Sequence, residues 1–80
     1  MSKKVINLYT TVGCPKCNIL RKRCAESAVI ADSDFKEIII DPNNENDTDL
    51  QLLIEHSMVS FPVLLVDNDF MDFNRAMRYV

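Results

Sequence analysis

A chain of 80 residues, 48% hydrophobic and 26% charged, has the balance of one small domain folded around its own core, which excludes a disordered chain. At this length only roughly two-thirds of the surface exposed by the unfolded chain is buried on folding, so residues 1–80 are read as a single domain with a shallow active site. Nine Lys and Arg against twelve Asp and Glu give a formal net charge of −3, which excludes an electrostatic footprint for nucleic acid or for an anionic membrane.

Val5 to Thr10 is β-branched, aromatic and nearly continuous in apolarity, the pattern of a strand buried on both faces. Thr11-Val12-Gly13 breaks it, Cys14 then stands where a helix N-cap would, and Pro15 takes the first helical position, where its missing N–H costs nothing. A helix is predicted from Pro15 to about Ser27, with Cys17, Leu20, Cys24 and Ala28 on one core-facing stripe and Arg21-Lys22-Arg23 as a solvated face that could also dock an acidic partner near the site. Phe35 to Ile40 repeats the strand signature, and the polar run Asp41 to Asp47 is its turn-forming exit. Thr48-Asp49-Leu50-Gln51 has the capping-box form, with Thr48 as cap and Gln51 reaching back. Leu50, Leu53, Ile54 and Met58 then recur at helical spacing and predict a helix over about Asp49 to His56. Phe61-Pro62 opens a third strand, Val63 to Val66. Asp67-Asn68-Asp69 supplies a turn before a short strand, Phe70 to Phe73, and Asn74 to Val80 forms a truncated last helix. The order is βαβαββα, with the first βαβ unit parallel and right-handed and helices covering the sheet.

The longest apolar runs, Ile38-Ile39-Ile40 and Val63 to Val66, fall far short of the ~20 residues that a membrane span needs. Met1-Ser2-Lys3-Lys4 lacks the apolar stretch of a signal peptide, and a cytoplasmic location is expected. The three cysteines, Cys14, Cys17 and Cys24, are crowded into one short stretch, which in a cytosolic protein points to redox chemistry or metal. At the helix N-cap, the sulfur of Cys14 can accept the free N–H groups of Lys16 and Cys17, the helix dipole favours its charge, and Lys16 adds a nearby cation. All three effects stabilise the thiolate, which makes Cys14 the expected nucleophile and Lys16 a thiolate-stabilising or partner-steering residue. Cys17, one turn on and facing the core, is the expected resolving cysteine of a two-step exchange through a mixed disulfide.

Four features occur in order over nearly the whole chain: the strand Ile6 to Thr10, the motif Cys14-Pro15-Lys16-Cys17 at its end, Ser60-Phe61-Pro62 before the third strand, and the hairpin with Asp67 in its turn. In these the sequence resembles the glutaredoxins and the glutaredoxin-like electron donors of ribonucleotide reductase. The resemblance implies an α/β, thioredoxin-like (glutaredoxin-type) fold with a central four-stranded mixed sheet flanked by helices. It implies that Pro62 is cis and faces the cysteine pair, that Phe61 offers backbone hydrogen bonds to a bound peptide or glutathione, and that Pro15, Ser60, Phe61 and Pro62 form the substrate site. Read from its own neighbours, Pro62 is equally an ordinary strand-initiating proline. The implied activity is dithiol reduction of cytosolic protein disulfides, ribonucleotide reductase among them, by a monomer without a bound cofactor. Electrons would come from glutathione or from NADPH through thioredoxin reductase. Thr11 stands where many glutathione-dependent members carry lysine, Lys16 where many carry an aromatic, and Met71-Asp72-Phe73-Asn74-Arg75 where many carry a Gly-Gly pair. These departures shift weight toward the donors reduced by thioredoxin reductase.

Other readings of the same residues compete. Cys-x-x-Cys also begins zinc sites, with Cys24 and His56 as the available further ligands, but the second close pair of a closed site is missing. A non-catalytic binding module on the same fold would need an unreactive Cys14. Cys24 reads as a small core hydrophobe, His56 as a cation at a helix C-terminus, and Tyr9, Phe61 and Phe73 as core. The acidic run Asp41 to Asp49 reads as solvated turn chemistry, because the spacing and glycine of a calcium loop are absent.

Overall fold

Val5–Thr10 forms β1 and lies inside the sheet, which is why both its faces are apolar. It runs parallel to β2, Asp34–Ile39, and antiparallel to β3, Val63–Val66, while β4, Asp69–Met71, pairs antiparallel with β3. The result is an α/β molecule around a four-stranded mixed sheet of order β2-β1-β3-β4. The structure, a computed structural model, describes residues 4–41, 43, 44, 46–58 and 60–80. Met1, Ser2 and Lys3, Pro42 and Glu45 of the turn-forming run, and Val59 lie outside the described residues.

Side chains alternate along each strand, so the two sheet faces build separate cores. Ile6, Leu8, Leu64 and Val66 join Leu20 and Cys24 of α1, Pro15–Glu26, with Ile30 of α2, Ala28–Ala31, and Ala76 of α4, Phe73–Tyr79. On the other face Tyr9, Ile40 and Val63 pack with Leu53 of α3, Thr48–Glu55. Thr10 points toward α1 and is fully buried, with its hydroxyl donating to Glu37 Oε2 at 3.4 Å. The same carboxylate receives Arg21 through Nε at 2.7 Å and a terminal nitrogen at 3.0 Å, so Arg21 is not part of a purely solvated face. This two-pronged bond ties the middle of α1 to β2.

Element ends differ from the sequence expectation where capping side chains decide them. The first helix ends at Glu26 because Ser27 leaves the helical conformation and caps the short α2, its hydroxyl accepting the Ile30 N–H at 3.4 Å. Ala28 therefore belongs to α2 and is exposed rather than on the core stripe. Four residues are too few to show a helical period. Asp34 is drawn into β2 by its N–H bond to the Lys4 carbonyl at 2.8 Å, which starts that strand one residue early; the strand ends at Ile39, one residue before the expected Ile40. Asp47, not Thr48, caps α3, its carboxylate accepting the N–H groups of Asp49 at 2.9 Å and Leu50 at 3.3 Å. A carboxylate there also meets the positive end of the helix dipole, which a hydroxyl does not exploit. Asp67 and Asn68 have φ of 46° and 71°, the left-handed pair that a two-residue hairpin turn requires, so Asp69 is free to enter β4. That strand stops at Met71 because Asp72 caps α4 through the Arg75 N–H at 2.9 Å. Ile54, on the helical repeat, is exposed at 56%. Among the described residues no helix is long and apolar enough to cross a membrane.

Asp47→Ala should lower stability by about 1 kcal/mol in urea unfolding, and Thr48→Ala by distinctly less. The reverse ranking would return the cap to Thr48.

Candidate functional site

The site begins where β1 stops. Thr10 is held by the sheet, and three residues later Gly13 takes φ of 75°, a left-handed conformation that L side chains rarely adopt. That turn sets Cys14 in extended geometry as the N-cap of α1, with Pro15 at the first helical position. Cys14 Sγ accepts the Cys17 N–H at 3.2 Å, and the Cys14 carbonyl accepts the Asn18 N–H at 3.2 Å. As a thiol, Cys14 Sγ faces the Phe61 carbonyl at 3.9 Å, across 47 positions of sequence. The Phe61–Pro62 peptide bond is cis, and Pro62 is buried beside Val63 and Leu64 of β3.

The two cysteines differ in depth. Cys14 is half-buried, whereas Cys17 is fully buried on the core side of α1, and both are free thiols. Desolvation pushes the Cys14 thiol up. Hydrogen bonds from the Cys17 side chain and N–H, the Thr11 hydroxyl and the Lys16 N–H outweigh it, so the Cys14 pKa is lowered from the ordinary thiol value. Cys17 is pushed up to about 11, first by desolvation, then by donating to the Cys14 sulfur and facing its charge, with partial relief from the Thr11 N–H and hydroxyl. Cys24 is likewise pushed up to about 11 by burial and by the negative charge of Glu37. The pair thus holds one sulfur prepared to ionise and one prepared to keep its proton.

Lys16 acts on Cys14 through its backbone N–H. Its ammonium instead lies 5.6 Å from the centre of the Phe73 ring, a cation–π distance. Lys16, Ser60, Phe61 and Pro62 come together with Asp72, Phe73 and Asn74 around an open groove of about 180 Å³. Pro15 is exposed at the head of α1 and is not among the residues lining that groove. On the other side of the Thr11–Gly13 connection, Thr11 and the 89% exposed Val12 line a second hollow with Ile39 and Asp41. His56 ends α3 and stacks on Phe70, ring centres 4.4 Å apart, so its ring is engaged in packing. Among the described residues, no three His, Cys, Asp or Glu side chains are placed to hold a metal ion.

The sequence reading passes over Thr11 as a donor to both sulfurs and sees in it only an absent lysine. A hydroxyl residue three positions before the N-cap cysteine is the signal that would have found it. Glu37 and Asp72 leave no comparable trace, since their roles depend on Arg21 and on the groove. Comparison with protein-family models, with curated proteins and with solved structures returned no match.

Alkylation by iodoacetamide across pH reads these acidities directly. A lowered pKa raises the thiolate fraction of Cys14, so its alkylation midpoint should lie below that of an ordinary free thiol, while Cys17 and Cys24 stay unlabelled in the folded protein at neutral pH. Thr11→Val removes a donor to the anion and should shift the Cys14 midpoint to higher pH. An unshifted curve would remove Thr11 from the site.

Proposed function

We propose that this protein is a glutaredoxin-like dithiol–disulfide oxidoreductase of thioredoxin-like fold that reduces cytosolic protein disulfides, ribonucleotide reductase among them. The observation that carries the reading is the N-capping Cys14 sulfur, half-exposed, stabilised as an anion and backed by a buried Cys17 within hydrogen-bond reach. The sheet order, with a parallel first pair and antiparallel second and third pairs, is compatible with that fold.

In this reading the Cys14 thiolate attacks one sulfur of a substrate disulfide. The substrate S–S bond breaks, the other sulfur leaves as a thiolate and takes a proton from water, and a mixed disulfide to Cys14 remains. Cys14 then no longer carries a charge, and Cys17 loses both the anion it faced and the acceptor it donated to. Those two causes of its high pKa vanish while the Thr11 N–H and hydroxyl stay available to a Cys17 thiolate. Cys17 gives up its proton and attacks Cys14 Sγ, the mixed disulfide breaks, and the second substrate sulfur leaves. The substrate has gained two electrons and two protons, and the Cys14–Cys17 disulfide must be reduced in turn by glutathione or by NADPH through thioredoxin reductase. The open groove beside Lys16, Ser60, Phe61 and Pro62 gives a substrate chain a place to lie next to Cys14.

Cys14→Ser should abolish reduction of a small disulfide such as hydroxyethyl disulfide, and Cys17→Ser should accumulate a mixed disulfide visible by mass spectrometry. Trapping by the Cys14→Ser protein would reverse the two roles, and a wild-type protein that reduces no disulfide would leave a binding module. Oxidised protein offered glutathione alone, then NADPH with thioredoxin reductase, identifies the reductant by which one restores free thiols. Faster recovery with the reductase is the expected result, given Thr11 and Lys16 in the cysteine region.

A further inference from the structure

Charge is unevenly distributed along this chain, and the fold turns that into two unlike faces. Nine of the twelve acidic residues fall between Glu37 and Asp72, a stretch with no Lys or Arg. α1 and α4 pack side by side over the same sheet face and carry Lys16, Arg21, Lys22, Arg23, Arg75 and Arg78 against Glu26 and the Asp72 that caps α4. The opposite face holds α3 and its preceding loop, with Asp41, Asp47, Asp49 and Glu55 against one Lys, Lys36 of β2, which alternates to this side with Ile38.

Two of the six cations are neutralised within the molecule, Arg21 by Glu37 at 2.7 Å and Arg75 by Asp69 at 3.2 Å. Lys16, Lys22, Arg23 and Arg78 have no carboxylate partner among the described residues, and all four are exposed. Lys16 lies between the two cysteines and reaches over Phe73 at the start of α4. Arg23 follows seven residues later, two turns along the same flank of α1, with the 49% exposed Ile19 between them. The cationic strip therefore starts at the nucleophile and runs away from it along the helix. Lys16 and Arg23 are separated by about 10 Å along the axis, a length that an extended chain covers in about three residues.

We infer that the α1–α4 face is a docking surface for an acidic segment of a partner protein, whose carboxylates lie along Lys16, Arg23 and the neighbouring cations and hold the partner against Cys14. The inference rests on the exchange reading for what the docked segment delivers. An acidic protein fits this surface better than a nucleic acid, because the net charge of −3 and the acidic α3 face repel a long polyanion while a short segment meets only the basic face. The attraction is between exposed charges, so it acts mainly on encounter and weakens with salt.

Fluorescence anisotropy with the reduced full-length protein tests this using three labelled probes: a cysteine-free peptide with Asp and Glu three residues apart, its Lys-substituted counterpart, and a short DNA duplex. The acidic peptide should bind, the basic one should not, and binding should weaken about tenfold on raising salt from about 0.02 M to about 0.3 M. Lys22→Glu combined with Arg23→Glu should weaken it by about tenfold or more, and the Gln double variant by less, while the rate with hydroxyethyl disulfide stays unchanged. Equal binding by the charge-reversed protein would overturn the surface, as would tighter binding of the duplex, which would assign the face to nucleic acid. Wild-type protein that binds the acidic peptide in this pattern yet reduces no hydroxyethyl disulfide would support the surface and overturn the exchange reading.

Discussion

The bond from the Cys17 N–H to the Cys14 sulfur is the interaction on which the site depends. A helix leaves its first N–H groups without internal partners, and something must accept them. Here the acceptor is the side chain that the chemistry needs as an anion, so closing the helix and stabilising a thiolate are one event. Pro15 fits the same arrangement, because it removes a donor that would otherwise need a partner and holds the backbone ready for the helix. The Gly13 turn and the buried anchor at Thr10 then fix where that cap stands relative to the sheet.

The difference between the two thiols follows from their depth on one helix. The residue at the cap must look outward, while the residue a turn later, on the stripe with Leu20 and Cys24, must look inward. Burial then opposes ionisation of the inner sulfur, and the outer one is compensated by donors that only a helix start and the adjoining loop supply. Cys24, equally buried but remote from the cap, shows what the same residue type becomes without those donors: a core side chain with a firmly held proton. The groove is small and open, as an 80-residue chain with two thin cores requires.

Ionic contacts divide into those that build the fold and those that stay available. The Arg21–Glu37 pair joins α1 to β2 and also takes up the buried Thr10 hydroxyl, and the Arg75–Asp69 pair closes the hairpin against α4. Lys16, Lys22, Arg23 and Arg78 stay available on the two helices nearest the thiols, whereas Asp41, Asp47, Asp49 and Glu55 lie in and before α3 behind the sheet. The helix face at Lys22 and Arg23 thereby becomes one side of a polarised molecule.

Much of the site's frame is legible in the sequence. The strand at Val5 to Thr10, the N-cap at Cys14, Pro15 at the first helical position and a hairpin turn beginning at Asp67 are properties of consecutive residues, and local sterics and periodicity suffice to read them. The caps at Ser27 and Asp47 were harder, because neighbouring Ser, Thr and Asp residues compete for the same N–H groups and only the backbone path selects among them. By itself the sequence determined the order of the elements other than α2 and the pairing of an outer with an inner cysteine. Tertiary structure alone decided that the Phe61 carbonyl faces Cys14, that Glu37 holds Arg21, that Thr11 serves both sulfurs and that Arg78 of α4 joins Lys16, Lys22 and Arg23 of α1 on one face. Those relations join residues distant in sequence, or depend on how deeply each is buried, and they come into being only when the chain folds back on itself.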